Sequence, residues 1–169
     1  AFGNNSAAGT AANILILNGG AVQAFGGPRT LVNPVVLANN STISGSQNLT
    51  FSGLANNQGG DNTLTVNNSG LTTFSGATLT LAENNTARTM TFDVSGSSGG
   101  VAVSGVIQNG TGSGADALTK NGAGNLTLSG AGANTFSGGL TVNSGTLTAG
   151  KVNALGSGPL AANGGIVNI

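Results

Sequence analysis

Apolar and polar residues alternate along this chain in short bursts, "NLTF" at 48–51, "TLTV" at 63–66, "TLTL" at 78–81, "TMTFDV" at 89–94, "VAV" at 101–103, "NLTL" at 125–128, "LTV" at 140–142 and "TLT" at 146–148. With side chains alternating at period 2, each burst is a two-sided strand. Leu49 and Phe51, Leu64 and Val66, Leu79 and Leu81, Met90 with Phe92 and Val94, and Leu126 with Leu128 point one way; the intervening Thr and Asp93 point the other. No stretch carries apolar residues at helical spacing over three turns, and Gly, Asn, Ser and Thr are mediocre or poor helix formers. The chain reads as all β.

Connectors are Gly, Asn and Ser, which tolerate positive φ or hydrogen-bond their own backbone. Five Asn pairs, Asn4/Asn5, Asn39/Asn40, Asn56/Asn57, Asn67/Asn68 and Asn84/Asn85, are expected at bends. Such strands make a sandwich, a barrel or a solenoid, and internal repetition decides between them. Aligning "GNLTLSG", "GTLTAG" and "GIVNI" stacks Leu126, Leu147 and Val167 at separations of 21 and 20 residues, with Ile107 another 19 upstream. A period of about 20 residues is one solenoid coil. Upstream, the leading apolar positions 49, 64, 79, 90 and 101 fit successive faces of irregular coils. Each coil puts one apolar layer into a narrow lumen and pairs its backbone with the coils above and below. Burying one such side chain yields about 1.5–3 kcal/mol, while ordering each backbone residue costs about 1–2 kcal/mol, so a coil is stable only beside neighbours. About eight coils are expected, with stacked Asn forming amide ladders at equivalent bends.

"AFGNNSAAGT" at the start also echoes "ALGSGPLAAN" at 154–163, and "NGGAV" at 18–22 echoes "NGGIV" at 163–167. The expectation is one β-solenoid module over residues 1–169, one unit of a longer tandem array or filament.

Composition narrows the chemistry. Gly, Asn, Thr and Ser fill 90 of the 169 positions, and His, Cys, Trp and Tyr are absent. Imidazole catalysis, thiolate nucleophiles, Cys/His zinc sites and disulfides are therefore excluded. Four cations (Arg29, Arg88, Lys120, Lys151) balance four anions (Asp61, Glu83, Asp93, Asp116), so no field attracts nucleic acid or anionic lipid. With 38% apolar residues and almost no charge, the chain is not disordered. Its longest apolar run, Ile14 to Leu17, is too short to span a bilayer. The opening residues lack the pattern of a signal peptide, so the chain reads as processed or excised.

Candidate sites are few. Glu83, Arg88 and Asp93 lie close enough in sequence to meet, but glycoside cleavage needs two carboxyls at a set separation, and the eight charges are scattered; a polysaccharide-acting enzyme stays a remote reading, and none is expected. "QGGDNTLTV" at 58–66 has one calcium-turn-like Asp, Asp61, where such solenoids need Asp from consecutive coils. "NGTGSGAD" at 109–116 is a flexible corner, not a phosphate cradle. Thr-x-Thr pairs at 63/65, 78/80, 89/91 and 146/148 are spaced too irregularly to order ice-like water. No cofactor and no metal is expected.

Residues 118–150, "LTKNGAGNLTLSGAGANTFSGGLTVNSGTLTAG", followed by "ALGSGPLAANGGIVNI", resemble the autotransporter-associated β-strand repeat, also called the passenger-associated transport repeat. The L-T-K-x-G-x-G opening, the T-L-S-G strand end, the N-T-F-S-G-G corner, the T-V-N-S-G-T-L return and the A-L-G-S-G turn appear in order. The resemblance implies a right-handed parallel β-helix in a secreted or surface-displayed bacterial protein, a stalk whose adhesive or catalytic tip lies elsewhere. The functional expectation is an extracellular structural rod, stalk or filament; the alternative is an adhesin for surface polysaccharide or a host protein. Its assembly edges are Ile14, Leu15, Ile16, Leu17, Ile166, Val167 and Ile169, apolar strand ends with almost no Lys, Glu or Pro to guard them. The expected partner is a second copy, stacked head to tail through an interface that does not close.

Overall fold

A computed structural model describes residues 1–112 and 114–169. Its strands follow the coil in threes. The first coil holds β1 (Leu15–Asn18), β2 (Ala21–Val22) and β3 (Arg29–Leu31); the second β4 (Val35–Asn39), β5 (Ser41–Ile43) and β6 (Leu49–Phe51). The third holds β7 (Ala55–Asn57), β8 (Asn62–Val66) and β9 (Thr72–Phe74); the fourth β10 (Thr78–Thr80), β11 (Thr89–Val94) and β12 (Val101–Val103). The fifth holds β13 (Val106–Gln108), β14 (Ala117–Asn121) and β15 (Asn125–Leu128). The last two carry pairs, β16 (Gly139–Val142) with β17 (Thr146–Ala149), then β18 (Leu160–Ala162) with β19 (Ile166–Asn168).

Every strand pairing is parallel and joins one coil to the next, giving sheets of five, seven and seven strands. The chain is a parallel β-helix of seven coils, spanning roughly 30 Å at a ~4.8 Å rung. Coil length varies along it. Leu15 pairs with Val35 and Val35 with Ala55, 20 residues apart, but Leu79 pairs with Ile107, 28 residues on, and Leu147 returns to 20 with Val167. The longer middle coils are why there are seven rather than eight. Their extra described residues lie in the corners at 81–88, 95–100, 109–112 and 114–116, outside the paired strands.

All eleven inward positions read from the alternation are buried. One column of the core runs Leu31, Phe51, Phe74, Val103 and Leu128. Phe51 and Phe74 stack at 5.1 Å between ring centroids, and Phe92 meets Phe74 edge-on at 5.9 Å from the neighbouring sheet. Leu126, Leu147 and Val167 stack as expected, but Ile107 does not precede them. It lies in the five-stranded sheet on Leu79, and the partner of Leu126 is Val101, because a sequence offset near 20 does not specify the face when coils differ in length.

Two further expectations change. Asn56 and Asn57 sit in β7 rather than at a bend; Asn57 turns into the core and gives its amide to the Gly60 and Leu81 carbonyls. The echo between Asn18–Val22 and Asn163–Val167 joins different corners. The first crosses from the five-stranded sheet to its neighbour, the second between the two seven-stranded sheets. It is a reusable corner motif and carries no information on phase.

Glycine does its main work by close approach. A Cβ on Gly76 would collide with the Gly53 carbonyl, and one on Gly105 with the Gly76 carbonyl, so successive coils cross here backbone to backbone. Gly76→Ala is expected to lower stability far more than Gly60→Ala, where an added Cβ meets nothing within 4 Å. Phe92→Ala, which opens the lumen, is expected to cost about 3–5 kcal/mol in urea unfolding.

Candidate functional site

The ends of the helix differ. At the N-terminal end, residues 1–13 lie against the first coil. Phe2 N–H donates to the Gln23 carbonyl, Phe25 N–H donates to the Phe2 carbonyl, and Asn5 Oδ1 accepts the Thr30 N–H at 3.0 Å. Asn33, fully buried, donates its amide to the carbonyls of Ala8, Thr10 and Asn13 at 2.8–3.2 Å. This cover leaves Leu17 and Leu31 of the first coil 4% and 0% exposed. At the other end no described residue covers the last rung, and lumen-facing Leu160 is 44% and Ile169 94% exposed, while Ile166, in register with outward Thr146, faces the side wall.

The proposed assembly residues therefore divide. Ile166, Val167 and Ile169 belong to an open rung, with β18 and β19 as edge strands. Leu17 faces the lumen and Leu15 is partly buried against the core, while Ile14 and Ile16, each 59% exposed, project from the side wall rather than along the axis. Alternation in β1 splits the run that the sequence offered as one patch.

A second feature crosses the C-terminal coils. Asn143 Nδ2 donates to Asn121 Oδ1 at 2.9 Å, and Asn163 Nδ2 donates to Asn143 Oδ1 at 3.0 Å. This is the expected amide ladder, one Asn per rung, ending in Asn163 at the open end. Beside it, Lys120 takes a lumen position between Phe92 and Val142 in register and is fully buried. Its ammonium donates to the carbonyls of Asn121 (2.6 Å), Gly122 (2.7 Å) and Ser144 (3.3 Å), tying its own corner to the next coil. Sequence reasoning counted Lys120 among scattered surface charges. The signal was present, because two residues after inward Leu118 the alternation points inward again.

The other charges also work in corners. Arg88 and Glu83 form an ion pair at 3.3 Å, but Asp93 stands at the far end of β11 and does not join them. Asp116, fully buried, accepts the N–H groups of Arg88 at 2.8 Å and Gly110 at 2.6 Å. It thereby fastens the corner read as flexible, of which residue 113 lies outside the described residues. Asp61 caps the Thr89 N–H at 2.9 Å. Among the described residues no group of three acidic side chains gathers that could hold a metal, and no helix is long and apolar enough to cross a membrane. Lys151 reaches past one coil to the Gly105 carbonyl at 3.0 Å.

Outward Thr residues fall into register despite their uneven sequence spacing. Thr30, Thr50, Thr73, Ala102, Thr127 and Thr148 form one column, and Thr63, Thr91, Thr119 and Thr141 another. Corner insertions absorb the irregularity, so the sequence argument against ordered Thr rows does not hold.

Fold and corner chemistry together define a β-solenoid whose coils are fastened by buried amide and ammonium donors. Residues 118–149, the segment that contains the Lys120 clasp and most of the ladder, match the passenger-associated-transport-repeat family. No curated protein and no solved structure matches the chain.

Burial pushes Lys120 down to about 8, against the pull of the Asp93 charge, and burial also lowers Lys151. With no His, Cys or Tyr in the chain, Lys120 is the side chain whose titration falls near pH 8. From there up to pH ~10 the unfolded chain binds more protons than the folded one, so stability rises with pH. The urea midpoint is expected to climb between pH ~8 and ~10, and Lys120→Met to remove most of the rise. Asn143→Ser, which cuts the ladder at its middle, is expected to cost about 1 kcal/mol in the same assay.

Proposed function

We propose that this chain is a structural segment of an extracellular or bacterial-surface rod, a stalk module without catalytic activity of its own. The observation that carries this reading is the continuous parallel ladder through seven coils, which includes the repeat-family segment. In such a ladder, tension along the axis is shared by every backbone hydrogen bond of a coil, and each coil relies on its neighbours for stability. The segment extends by adding a rung on β18 and β19, where unpaired backbone and the lumen-facing Leu160 and Val167 recruit another edge.

Head-to-tail stacking of copies sets that edge against the N-terminal end of the next copy, an interface that does not close. Residues 1–13 must shift aside there to expose the edge of β1. A binding reading is favoured by one feature, the neutral Thr column on the outer face of a seven-stranded sheet, which offers hydroxyls at every rung but one from Thr30 to Thr148. Surface polysaccharide or a host protein is the partner for that face.

Light scattering and electron microscopy of the purified chain test the assembly. Rods longer than one copy, shortened by Leu160→Lys, are expected; compact monomers at all concentrations overturn non-covalent stacking. A glycan-binding screen separates the adhesin from the inert stalk.

A further inference from the structure

Four Asn-Gly dipeptides occur, at 18/19, 109/110, 121/122 and 163/164. Asn-Gly is chemically labile because a glycine nitrogen, unhindered by a side chain, attacks the Asn Cγ. The surroundings of the four differ. Gly19 N–H donates to Ser41 Oγ at 3.1 Å, and Gly110 N–H is held by Asp116 Oδ2 at 2.6 Å. The Asn109 amide is itself bonded to Asp116 N and to Ser137. The N–H groups of Gly122 and Gly164 donate to no acceptor among the described residues.

Around Asn121–Gly122 three further groups converge. The Lys120 ammonium sits on the Asn121 main-chain oxygen at 2.6 Å, drawing electrons from the peptide whose nitrogen is the nucleophile and acidifying its N–H. Asn143 Nδ2–H sits on Asn121 Oδ1 at 2.9 Å, polarising the side-chain carbonyl that is attacked and placed to stabilise its oxyanion. Asp93 Oδ1 lies 2.7 Å from where a Cβ of residue 122 would stand, a carboxylate base beside the glycine. Among the described residues, Asn163 Oδ1 accepts no hydrogen bond and no ammonium touches the Asn163–Gly164 peptide.

We propose that Asn121–Gly122 is a self-modifying site at which the folded protein converts its own Asn121 to aspartate or isoaspartate. The Gly122 nitrogen loses its proton and bonds to Asn121 Cγ; the Cγ–Nδ2 bond breaks and ammonia leaves; water opens the cyclic imide on either side. The net reaction consumes one water and releases one ammonia. The product places a carboxylate in register with Asp93, and isoaspartate adds a backbone atom to the rung, so conversion loosens the join between the fourth, fifth and sixth coils.

The test is peptide mapping by mass spectrometry of the intact chain held at neutral pH and 37 °C, with the other three dipeptides as internal controls. Asn121 is expected to convert first and several-fold faster in the folded chain than in urea, with Asn18 and Asn109 unchanged. Lys120→Met and Asn143→Ser are each expected to slow Asn121 several-fold while leaving Asn163 unchanged; Asn143→Ser alters an exposed residue and keeps the test valid if Lys120→Met does not fold. Equal rates in folded and unfolded chain, or conversion of Asn163 ahead of Asn121, overturn the proposal.

Discussion

The constraint on which this structure depends is the fate of polar backbone at the corners. Along the strands, each N–H and C=O pairs with the coil above or below. Where the chain turns, carbonyls point inward or across the gap with no strand opposite, and an unpaired buried carbonyl costs about as much as a lost hydrogen bond. The chain meets this with donors turned into the corners. Asn33, Asn57, Asn62, Asn68 and Asn134 donate side-chain amides to carbonyls of their own or a neighbouring coil, and Lys120 donates its ammonium to three. Each carries the structural information that a larger core would otherwise supply.

That accounting explains a composition that looks like low complexity. Glycine permits coils to cross at Gly53, Gly76 and Gly105, asparagine is the smallest side chain with two amide protons to give, and threonine covers the outer faces. Aromatic residues are spent in the lumen: Phe51, Phe74, Phe92 and Phe136 are buried and only Phe25 is strongly exposed. The rod is thereby left neutral on its outside, with its reactive chemistry confined to corners where a cation or a carboxylate has been drawn in.

Much of this was legible in the residues. Period-2 alternation gave the strand faces because burial in a narrow lumen enforces it at every rung; Leu49 to Leu128 all fell where the pattern put them. Coil phase was less legible. A 19-residue offset aligns Ile107 with Leu126 although it lies on another face, and the opening echo reads as a restart, because corner motifs such as Asn-Gly-Gly recur at different corners and sequence distance does not distinguish them. Lys120 was missed since a charge is assumed to be solvated, and the axial patch Ile14 to Leu17 dissolved because a strand edge and a strand face share the same residues. The divided fate of the two ends depended on Phe2 and Asn33, whose contacts span 20 or more residues and leave no local trace.

Why the family signature is confined to residues 118–149 follows from the same geometry. Register in a parallel β-helix is set by strand pairing, so a corner can accept several extra residues without disturbing any rung. The fourth and fifth coils do so, and their insertions support each other: Arg88 N–H bonds to Asp116, and Thr111 Oγ1 donates to the Glu83 carbonyl. Each insertion erases the sequence period while leaving the structural one intact. In the last coils the corners stay short, so Asn121, Asn143 and Asn163 recur at 22 and 20 residues and the repeat remains visible. The structural repeat is thus wider than the sequence repeat, since hydrogen-bonded rungs tolerate drift that a linear motif does not.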